Sequence, residues 1–338
     1  MSLNASNEGA TPVSKIVENQ SGGQLGPAFI VGVGRSGTTL LVNLLGQHPL
    51  LAPIYETRFL RNLLSLCETA SWYFGNSASR RVASLGETLV RSRFLRACDR
   101  YKKKAIAFNV IPPEGNGTKQ RYESFPFGES HCIHYHMDEF ISETEEWLAR
   151  IANAHFSPEA LYRSAREYVE KLFAIHCSRM NKPFWINKTP GLITYLDLLP
   201  KLFPGSKCIH IIRDGRDVAV SNLSLNWGPS NVRDAARRWK RQITQGRKRV
   251  DSSRLAYMEV RYEDLVKEPR KLLKQTFAFL ELADHVDDVV PALPVYENRK
   301  QIWRSKLSVQ DRRVFAREAG DLLIECGYAD DDSWVSER

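Results

Sequence analysis

Glycines, small hydroxyl side chains and one cation are grouped in the segment GVGRSGTTLL, which begins at Gly32. Gly32 and Gly37 have the spacing of a phosphate-binding loop for nucleoside triphosphates, whose pattern is G-x-x-x-x-G-K-[ST]. Thr38 stands where that pattern has its lysine, Thr39 occupies the hydroxyl position, and Arg35 is the cation within the loop. The N–H groups of such a loop, and of the helix after it, hold an anion. The segment therefore predicts an anion site with an altered charge requirement.

The missing lysine narrows the kind of anion that the loop would hold. In triphosphate enzymes this lysine contacts the terminal phosphates, and the hydroxyl residue after it holds Mg²⁺. A sulfuryl group on a 5′-phosphate carries less charge than a terminal phosphoryl group and requires no metal ion. Arg35, Thr38 and Thr39 would then hold the 5′-phosphate. A glycine turn ahead of a core helix is the alternative, because short motifs recur by chance.

A second basic motif, IIRDGRDVAVS, places Arg213 at the end of a predicted strand and Ser221 near the start of a helix. Ligands of open α/β sheets bind outside the carboxyl ends of the strands. Arg213 and the glycine loop would therefore face one crevice and hold two separated phosphates. One alternative is a Walker B strand with Asp214 on Mg²⁺. The other is a solvated helix start, which is the usual fate of such charges.

Short apolar runs alternate with helical patterns along most of the chain, and the clearest strand is KCIHIIRD. This alternation predicts an α/β fold with a mostly parallel sheet covered on both faces. Ser157 and Pro158 suit the N-cap and the first position of a helix that would end near Met180.

Three regions follow from these patterns. Residues 1–26 are polar and predict a flexible N-terminal arm, and residues 27–338 predict a single domain. Within that domain, residues 59–157 are less regular and are interpreted as an acceptor-binding insertion or lid.

The composition is that of an ordinary globular protein. The 338 residues are 43% hydrophobic and 26% charged, and the net charge of +9 suits an anionic ligand, a nucleic acid or an acidic surface. Basic residues do not cluster with aromatic ones as in nucleic-acid modules, so no nucleic acid is expected as a partner. The lack of a signal segment or a long apolar run predicts a cytoplasmic protein without a membrane span. Reduced, buried thiols are predicted at Cys177, Cys208 and Cys326.

The run HCIHYHMDEF raises the question of a metal site. His131, Cys132, His134 and His136 are all possible ligands. Alternate residues of a strand share a face, however, and a half-buried histidine row gives the same pattern. Since no second ligand group with matching spacing follows, no metal is expected, although one of these histidines is an alternative general base.

The two anion motifs together resemble those of one enzyme family. GVGRSGTTLLVNLLGQHP and IHIIRDGRDVAVSNLS resemble the 5′-phosphosulfate loop and the 3′-phosphate motif of sulfotransferases that use PAPS, 3′-phosphoadenosine 5′-phosphosulfate. YETRFL, NKTP, RYEDLVKEP and IWRSKLS…LLIECGY are similar to segments of the tyrosylprotein-sulfotransferase-like and bacterial members. The resemblance covers residues 27–74 and 184–328. It implies a P-loop NTPase-like three-layer sandwich with a helical lid or insertion.

The resemblance also implies roles for individual residues. Glu56, in YETR, would be the general base, and Lys188, in NKTP, would stabilise charge on the sulfuryl group or the bridging oxygen. Lys300 would contact the 3′-phosphate or the adenine, although NRKQIWRSK lacks the full R-K-G-x-x-G-x-W pattern of the cytosolic branch. The residues implied in PAPS binding are Arg35, Ser36, Gly37, Thr38, Thr39, Arg213, Ser221 and Lys300.

Each of the last three roles has a plainer alternative. Glu56 would otherwise be a surface carboxylate paired with Arg58, and Lys188 an exposed turn lysine. Lys300 would otherwise lie in a solvated loop. The sequon at Asn187 overlaps the Lys188 position and is interpreted as accidental.

The motifs together predict transfer of a sulfuryl group from PAPS to a hydroxyl or amine acceptor by in-line displacement, without a metal ion. The alternative is a degenerate P-loop kinase or NTPase that uses ATP and Mg²⁺, with Arg35 in place of the lysine. A peptide tyrosine, a sugar, a lipid and a small phenol all stay open as acceptors. Arg58, Phe59, Trp72 and Tyr73 are candidates to line the acceptor pocket.

Overall fold

Five parallel strands form one central sheet in the order β2-β3-β1-β4-β5. The computed structural model describes residues 26–75, 92, 95–103, 137–153, 157–226, 228–290 and 300–336. The strands are β1 (Ala28–Val31), β2 (Leu51–Tyr55), β3 (Phe184–Lys188), β4 (Lys207–Ile212) and β5 (Ala256–Arg261). Every pairing between them is parallel. Their carboxyl ends therefore lie at the same edge of the sheet.

Helices connect the strands and cover both faces of the sheet. They are α1 (Thr38–Leu45), α2 (Arg58–Gly75), α3 (Met137–Asn153), α4 (Pro158–Met180), α5 (Leu199–Leu202), α6 (Gly215–Leu223), α7 (Val232–Asp251), α8 (Tyr262–Lys267), α9 (Pro269–Leu280), α10 (Val286–Val289), α11 (Trp303–Lys306) and α12 (Val309–Glu325). Residues 95–103 are also helical, and 3₁₀ helices cover Pro190–Tyr195 and Asp332–Val335. The predicted α/β fold with a parallel sheet is confirmed.

Alternation along the strands divides the core between the two faces. In β1, Phe29 and Val31 pack with α2, α3 and α4, whereas Ala28 and Ile30 pack with α1, α8 and α9. Successive strand side chains point to opposite faces, so a strand that is apolar throughout must be covered on both sides. The three layers follow from this pattern.

Local signals set the ends of two helices, and those of α4 agree with the sequence prediction. The Ser157 hydroxyl accepts a hydrogen bond from the N–H of Ala160 at 3.2 Å, and Pro158 opens α4. That helix ends at Met180, before Asn181 in a left-handed conformation with φ of 52°. Ser308 and Asp311 form a reciprocal capping box at the start of α12.

The described parts of region 59–157 belong partly to the main core. Phe59 is fully buried and contacts the rings of Phe140, Tyr168 and Phe173. Trp147 of α3 is also fully buried and stacks on Tyr168 at 4.9 Å between ring centroids. Phe59 is therefore a core residue.

Some predictions fall outside the described residues. Residues 1–25 of the predicted arm do so, as does the histidine run from His131 to His136. Within the described residues, no helix is both long and apolar enough to cross a membrane. The thiols of Cys177, Cys208 and Cys326 are free, and the first two are buried as predicted. Cys326 is only half-buried, because it lies just beyond the end of α12, so its predicted burial is wrong.

Candidate active site

The glycine loop connects β1 to α1 and depends on two close approaches. Gly37 has φ of 94° and precedes the first residue of α1. A Cβ atom on Gly37 would lie 2.4 Å from the ring of Tyr262, and one on Gly32 would lie 2.6 Å from the carbonyl oxygen of Ile211. Arg35 also has a positive φ, of 77°. Only glycine fits at positions 32 and 37, since a side chain there would displace its neighbours.

The two anion motifs meet at the carboxyl edge of the sheet. Arg35 Nε donates a hydrogen bond to Ser221 Oγ at 3.0 Å, although 186 positions separate them. Arg213 Nη1 donates to the Arg35 carbonyl oxygen at 3.2 Å, and Asn222 Nδ2 donates to the Gly34 carbonyl oxygen at 3.3 Å. The loop, Arg213 after β4 and the last turn of α6 are therefore one structural unit at the carboxyl edge of the sheet, with Ser221 further along the helix than the sequence predicts.

Arg213 is almost fully buried and is held from two sides. Its guanidinium carbon lies 4.6 Å from the ring centroid of Tyr262, and its Nη2 lies 3.6 Å from Asp217 Oδ2. Tyr262 thus contacts both Arg213 and the position of Gly37. A cation packed on an aromatic face in a buried site keeps its charge at a fixed position.

Asp217 joins this site to the segment that contains Lys300. Its carboxylate accepts hydrogen bonds from the N–H groups of Gln301 at 2.8 Å and Trp303 at 3.0 Å. Burial, together with the nearby Asp214 carboxylate, raises the pKa of Asp217. Lys300, which immediately precedes Gln301, is therefore anchored near the start of α6.

Asp214 is engaged in structure at the start of α6. It accepts hydrogen bonds from the Arg216 backbone N–H at 2.9 Å and from Arg216 Nε and Nη2 at 3.0 and 2.8 Å. The Arg216 guanidinium in turn packs on the rings of Trp303 and Trp334 at 4.0 and 4.6 Å. These groups are buried, so the solvated-helix interpretation is wrong. Asp214 is committed to Arg216, which argues against a Walker B role.

A buried lysine and a half-exposed glutamate lie at the ends of β3 and β2. Lys188 Nζ lies 3.1 Å from Glu56 Oε1, with side chains that are 0% and 43% exposed, respectively. The Lys188 ammonium also lies 5.5 Å from the ring centroid of Tyr55, whose hydroxyl donates to Asn43 Oδ1 at 2.5 Å. The interpretation of Lys188 as an exposed turn residue is therefore wrong.

The glycine loop leaves β1 between the strand end that carries Lys188 and the strand end that precedes Arg213. The strand order places β1 between β3, which ends at Lys188, and β4, which Arg213 follows. The Thr189 N–H donates to the Ile30 carbonyl oxygen at 3.2 Å, which fixes the end of β3 against β1. Lys188 and Arg213 thus flank the glycine loop on opposite sides.

The remaining predicted residues take different positions. Ser36 is buried in the loop, and Thr38 is buried at the first position of α1. Thr39 and Lys300 are half-buried. The Ser36 hydroxyl has no hydrogen-bond partner within the part of the chain that the structure describes. Asn187 is fully buried, so its sequon is inaccessible in the folded protein.

Sequence reasoning missed several residues that shape the site. Asp217 lies within the quoted RDGRD motif, but its partners are 84 and 86 positions away. Tyr262 lies in RYEDL, where nothing local indicates a contact with Arg213. Tyr55 and Asn43 meet only because β2 lies beside α1. Long-range contacts of this kind leave no spacing signal.

Other candidates cannot be placed. His131, Cys132, His134 and His136 lie outside the described residues, and the side chains of Arg58, Trp72 and Tyr73 are also outside them. No group of three potential metal ligands occurs among the residues that the structure describes.

The chain belongs to the sulfotransferase family, whose profile matches residues 27–288. Protein-tyrosine sulfotransferase 1 of Danio rerio is 27% identical over 155 residues, covering 43% of this chain and 42% of that protein. Omega-hydroxy-beta-dihydromenaquinone-9 sulfotransferase Stf3 of Mycobacterium bovis is 26% identical over 161 residues, covering 42% of this chain and 41% of that protein. The matches thus span less than half the length of these relatives.

Solved structures of sulfotransferases also align with the chain. Sulfotransferase STF1 from Mycobacterium tuberculosis is 16% identical with a TM-score of 0.42, covering 90% of this chain and 79% of that one. A sulfotransferase domain from the curacin biosynthetic pathway is 16% identical with a TM-score of 0.41, covering 84% and 83%.

Proposed function

We propose that this protein transfers a sulfuryl group from PAPS to a hydroxyl-bearing acceptor, or to an amine, with Glu56 as the general base. The observation that carries the proposal is the meeting of three features at one edge of the sheet. These are the glycine loop, the Arg213–Ser221 motif bonded to it through Arg35, and the Glu56–Lys188 pair beside it. Membership of the sulfotransferase family supports the same reaction class.

The residues at this edge fit a nucleotide with two separated anionic groups. Loop N–H groups, the buried Ser36 hydroxyl and the start of α1 would hold the 5′-phosphosulfate. Arg213 and Ser221 would hold the 3′-phosphate, and Lys300 would contact it from the anchored 300–303 segment. PAPS supplies an activated sulfuryl group whose leaving group is adenosine 3′,5′-bisphosphate.

Glu56 and Lys188 have complementary tasks in the proposed reaction. As the acceptor oxygen or nitrogen bonds to sulfur, the bond between sulfur and the bridging oxygen breaks. Glu56, whose side chain is partly exposed, takes the proton of the acceptor. The buried Lys188 ammonium stabilises negative charge on the sulfuryl group or the bridging oxygen, where a fixed cation acts strongly.

The two named relatives support a hydroxyl acceptor. One is named for protein tyrosine and the other for an ω-hydroxy compound, and both of these named compounds carry a hydroxyl group. The kinase or NTPase alternative requires a carboxylate for Mg²⁺, and Asp214 is already committed to Arg216.

Calorimetric binding of adenosine 3′,5′-bisphosphate with EDTA, beside ATP with Mg²⁺, tests this proposal first. We expect metal-free binding of the bisphosphate that is much tighter than binding of ATP. An Arg213→Ala variant serves as the matched control and should lose most of the bisphosphate signal. Tight binding of ATP and Mg²⁺ without a bisphosphate signal would instead identify a kinase or NTPase.

A further inference from the structure

Three buried polar side chains form a closed hydrogen-bond ring next to the Glu56–Lys188 pair. Asn187 Nδ2 donates to Thr57 Oγ1 at 2.7 Å, and Thr189 Oγ1 donates to Asn187 Oδ1 at 2.9 Å. The hydroxyl oxygens of Thr57 and Thr189 lie 3.1 Å apart. Because the Thr189 proton is already given to Asn187, Thr57 is the donor in that third contact. Each side chain thus donates once and accepts once.

The three ring residues are sequence neighbours of the two residues of the ion pair. Thr57 follows Glu56 directly, whereas Asn187 and Thr189 stand on either side of Lys188. The three ring residues are at most 5% exposed. Side chains of β3 alternate between the faces of the sheet, so Asn187 cannot contact a ligand on the side to which Lys188 points.

Glu56 needs such support because its backbone is in an unfavourable conformation. Its φ is 47°, in the left-handed region that favours glycine. Its N–H donates to the Lys188 carbonyl oxygen at 2.7 Å, and the next residue is held by the ring. An ordinary extended conformation at Glu56 would direct its side chain elsewhere and break the contact with Lys188.

We infer that Thr57, Asn187 and Thr189 are positioning residues that hold Glu56 in its left-handed conformation and so keep its carboxylate beside the Lys188 ammonium. This inference rests on the proposed function for its kinetic consequences, and on geometry alone for its structural ones. A ring that merely closes the strand ends would stabilise the fold without directing the carboxylate. If the ring positions the carboxylate, breaking it changes kcat and the position of Glu56. If the ring only stabilises the fold, breaking it changes stability and leaves both of these unchanged.

The test compares Thr57→Val, which removes the hydroxyl while keeping the shape, with Thr57→Ser, which keeps the hydroxyl. Thr276→Val is the matched control, because Thr276 is fully buried and its hydroxyl donates to the Leu272 carbonyl oxygen within α9, away from the candidate site. Release of inorganic sulfate from PAPS to water, and transfer to 2-naphthol, are measured beside the affinity for adenosine 3′,5′-bisphosphate.

We expect Thr57→Val to lower kcat by roughly 10-fold to 100-fold, since misplacement of a reacting group by about 1 Å has effects of this size. Bisphosphate affinity should stay within about 2-fold, because the ring makes none of the proposed nucleotide contacts. Thr57→Ser and Thr276→Val should both behave as the unchanged protein does. A Thr57→Ser variant as slow as Thr57→Val would overturn the inference, as would an unchanged rate in Thr57→Val.

A crystal structure of Thr57→Val gives a readout that does not depend on turnover. The inference requires that Glu56 leave the left-handed region or that its carboxylate move away from Lys188 Nζ. Retention of both features in Thr57→Val would refute the positioning role even if no transfer were ever detected. Absence of adenosine 3′,5′-bisphosphate binding in the unchanged protein, by contrast, would refute the proposed function and leave this structural result to decide the role of the ring.

Discussion

At the scale of single residues, the site depends on an ion pair with unequal burial. Lys188 is fully buried, whereas the Glu56 side chain is 43% exposed. A buried ammonium is costly unless a carboxylate or hydrogen bonds compensate it. Glu56 supplies that compensation while its partial exposure leaves it accessible to an acceptor. Two predictions follow from this division between a buried cation and an accessible base.

Glu56→Gln should lower transfer from PAPS by roughly 100-fold or more, because a general base commonly contributes a factor of that order. The amide keeps the shape of the side chain but takes no proton. Turnover and calorimetric affinity for adenosine 3′,5′-bisphosphate should be measured together, and the affinity should be preserved. Glu281→Gln is the control, since Glu281 pairs with Lys207 at the opposite end of the sheet. Undiminished turnover in Glu56→Gln would rule out the base role.

Lys188→Met should lower kcat more than it lowers nucleotide affinity. The substitution keeps most of the buried volume but removes the charge that would stabilise the leaving group, an effect for which we expect roughly 100-fold. Lys182→Met is a suitable control, because Lys182 Nζ donates to the carbonyl oxygens of Gly46 and His48, away from the candidate site. The opposite pattern, with affinity lost and kcat retained, would make Lys188 a binding residue.

At the scale of elements, Asp217 links the start of α6 to the segment before α11. Its two carboxylate oxygens accept separate N–H groups, from Gln301 and Trp303, and Gln301 has a positive φ of 55°. The segment that includes Lys300 is thus held by a carboxylate that also faces Arg213 at 3.6 Å. One side chain therefore supports two of the three proposed contacts to the 3′-phosphate, those of Arg213 and Lys300.

Asp217→Asn should weaken adenosine 3′,5′-bisphosphate binding by roughly 10-fold, which corresponds to about 1.4 kcal/mol. An amide has one acceptor oxygen, so its NH₂ group would face one of the two N–H donors and release part of the segment. Titration calorimetry measures the effect, and Asp321→Asn, at an exposed pair with Lys240, is the control. Equal affinities in the two variants would show that the segment does not support the nucleotide site.

At the scale of the whole molecule, His48 connects two parts of the α/β sandwich. It follows α1, and its Nδ1 accepts a hydrogen bond from the Leu50 N–H at 3.2 Å. Its Nε2 lies 3.3 Å from the Ala283 carbonyl oxygen, and its ring contacts those of Phe277 and His285. Burial, with smaller contributions from His285 and Lys182, lowers the pKa of His48 from 6.5 to about 4.

Stability should therefore fall as the pH decreases. The unfolded chain protonates His48 near pH 6.5 while the folded chain resists until about pH 4, so the unfolded state binds the extra proton in between. Between about pH 6.5 and about pH 5, the free energy of unfolding should lose on the order of 2 kcal/mol through this residue.

Denaturant unfolding at both pH values measures the effect, with His48→Gln as the variant. The glutamine titrates at neither pH, so its loss of stability should be smaller by about that amount. His210, whose pKa burial also lowers, remains in both proteins and provides the residual dependence. Identical pH dependence in the two proteins would assign the whole effect to other groups.

Patterns within short stretches of the sequence determined much of the fold. β1 and most of β4 are short apolar runs, and the ends of α4 follow from Ser157, Pro158 and Asn181. Gly37 is required by the backbone conformation and by the nearby Tyr262 ring, and the glycine itself is visible in the sequence. Spacing of this kind acts over a few residues, which is why it can be interpreted without coordinates.

Tertiary structure alone decided which distant residues meet. The strand order β2-β3-β1-β4-β5 brings the end of β2 beside the end of β3, and so places Thr57 within 2.7 Å of Asn187, 130 positions away. The same topology brings Arg35 to Ser221 and Asp217 to Trp303. Parallel strands are joined by long crossovers, so neighbours in the sheet are remote in the chain. The chain supplied the chemical groups of the site, and the packing of the sheet decided their partners.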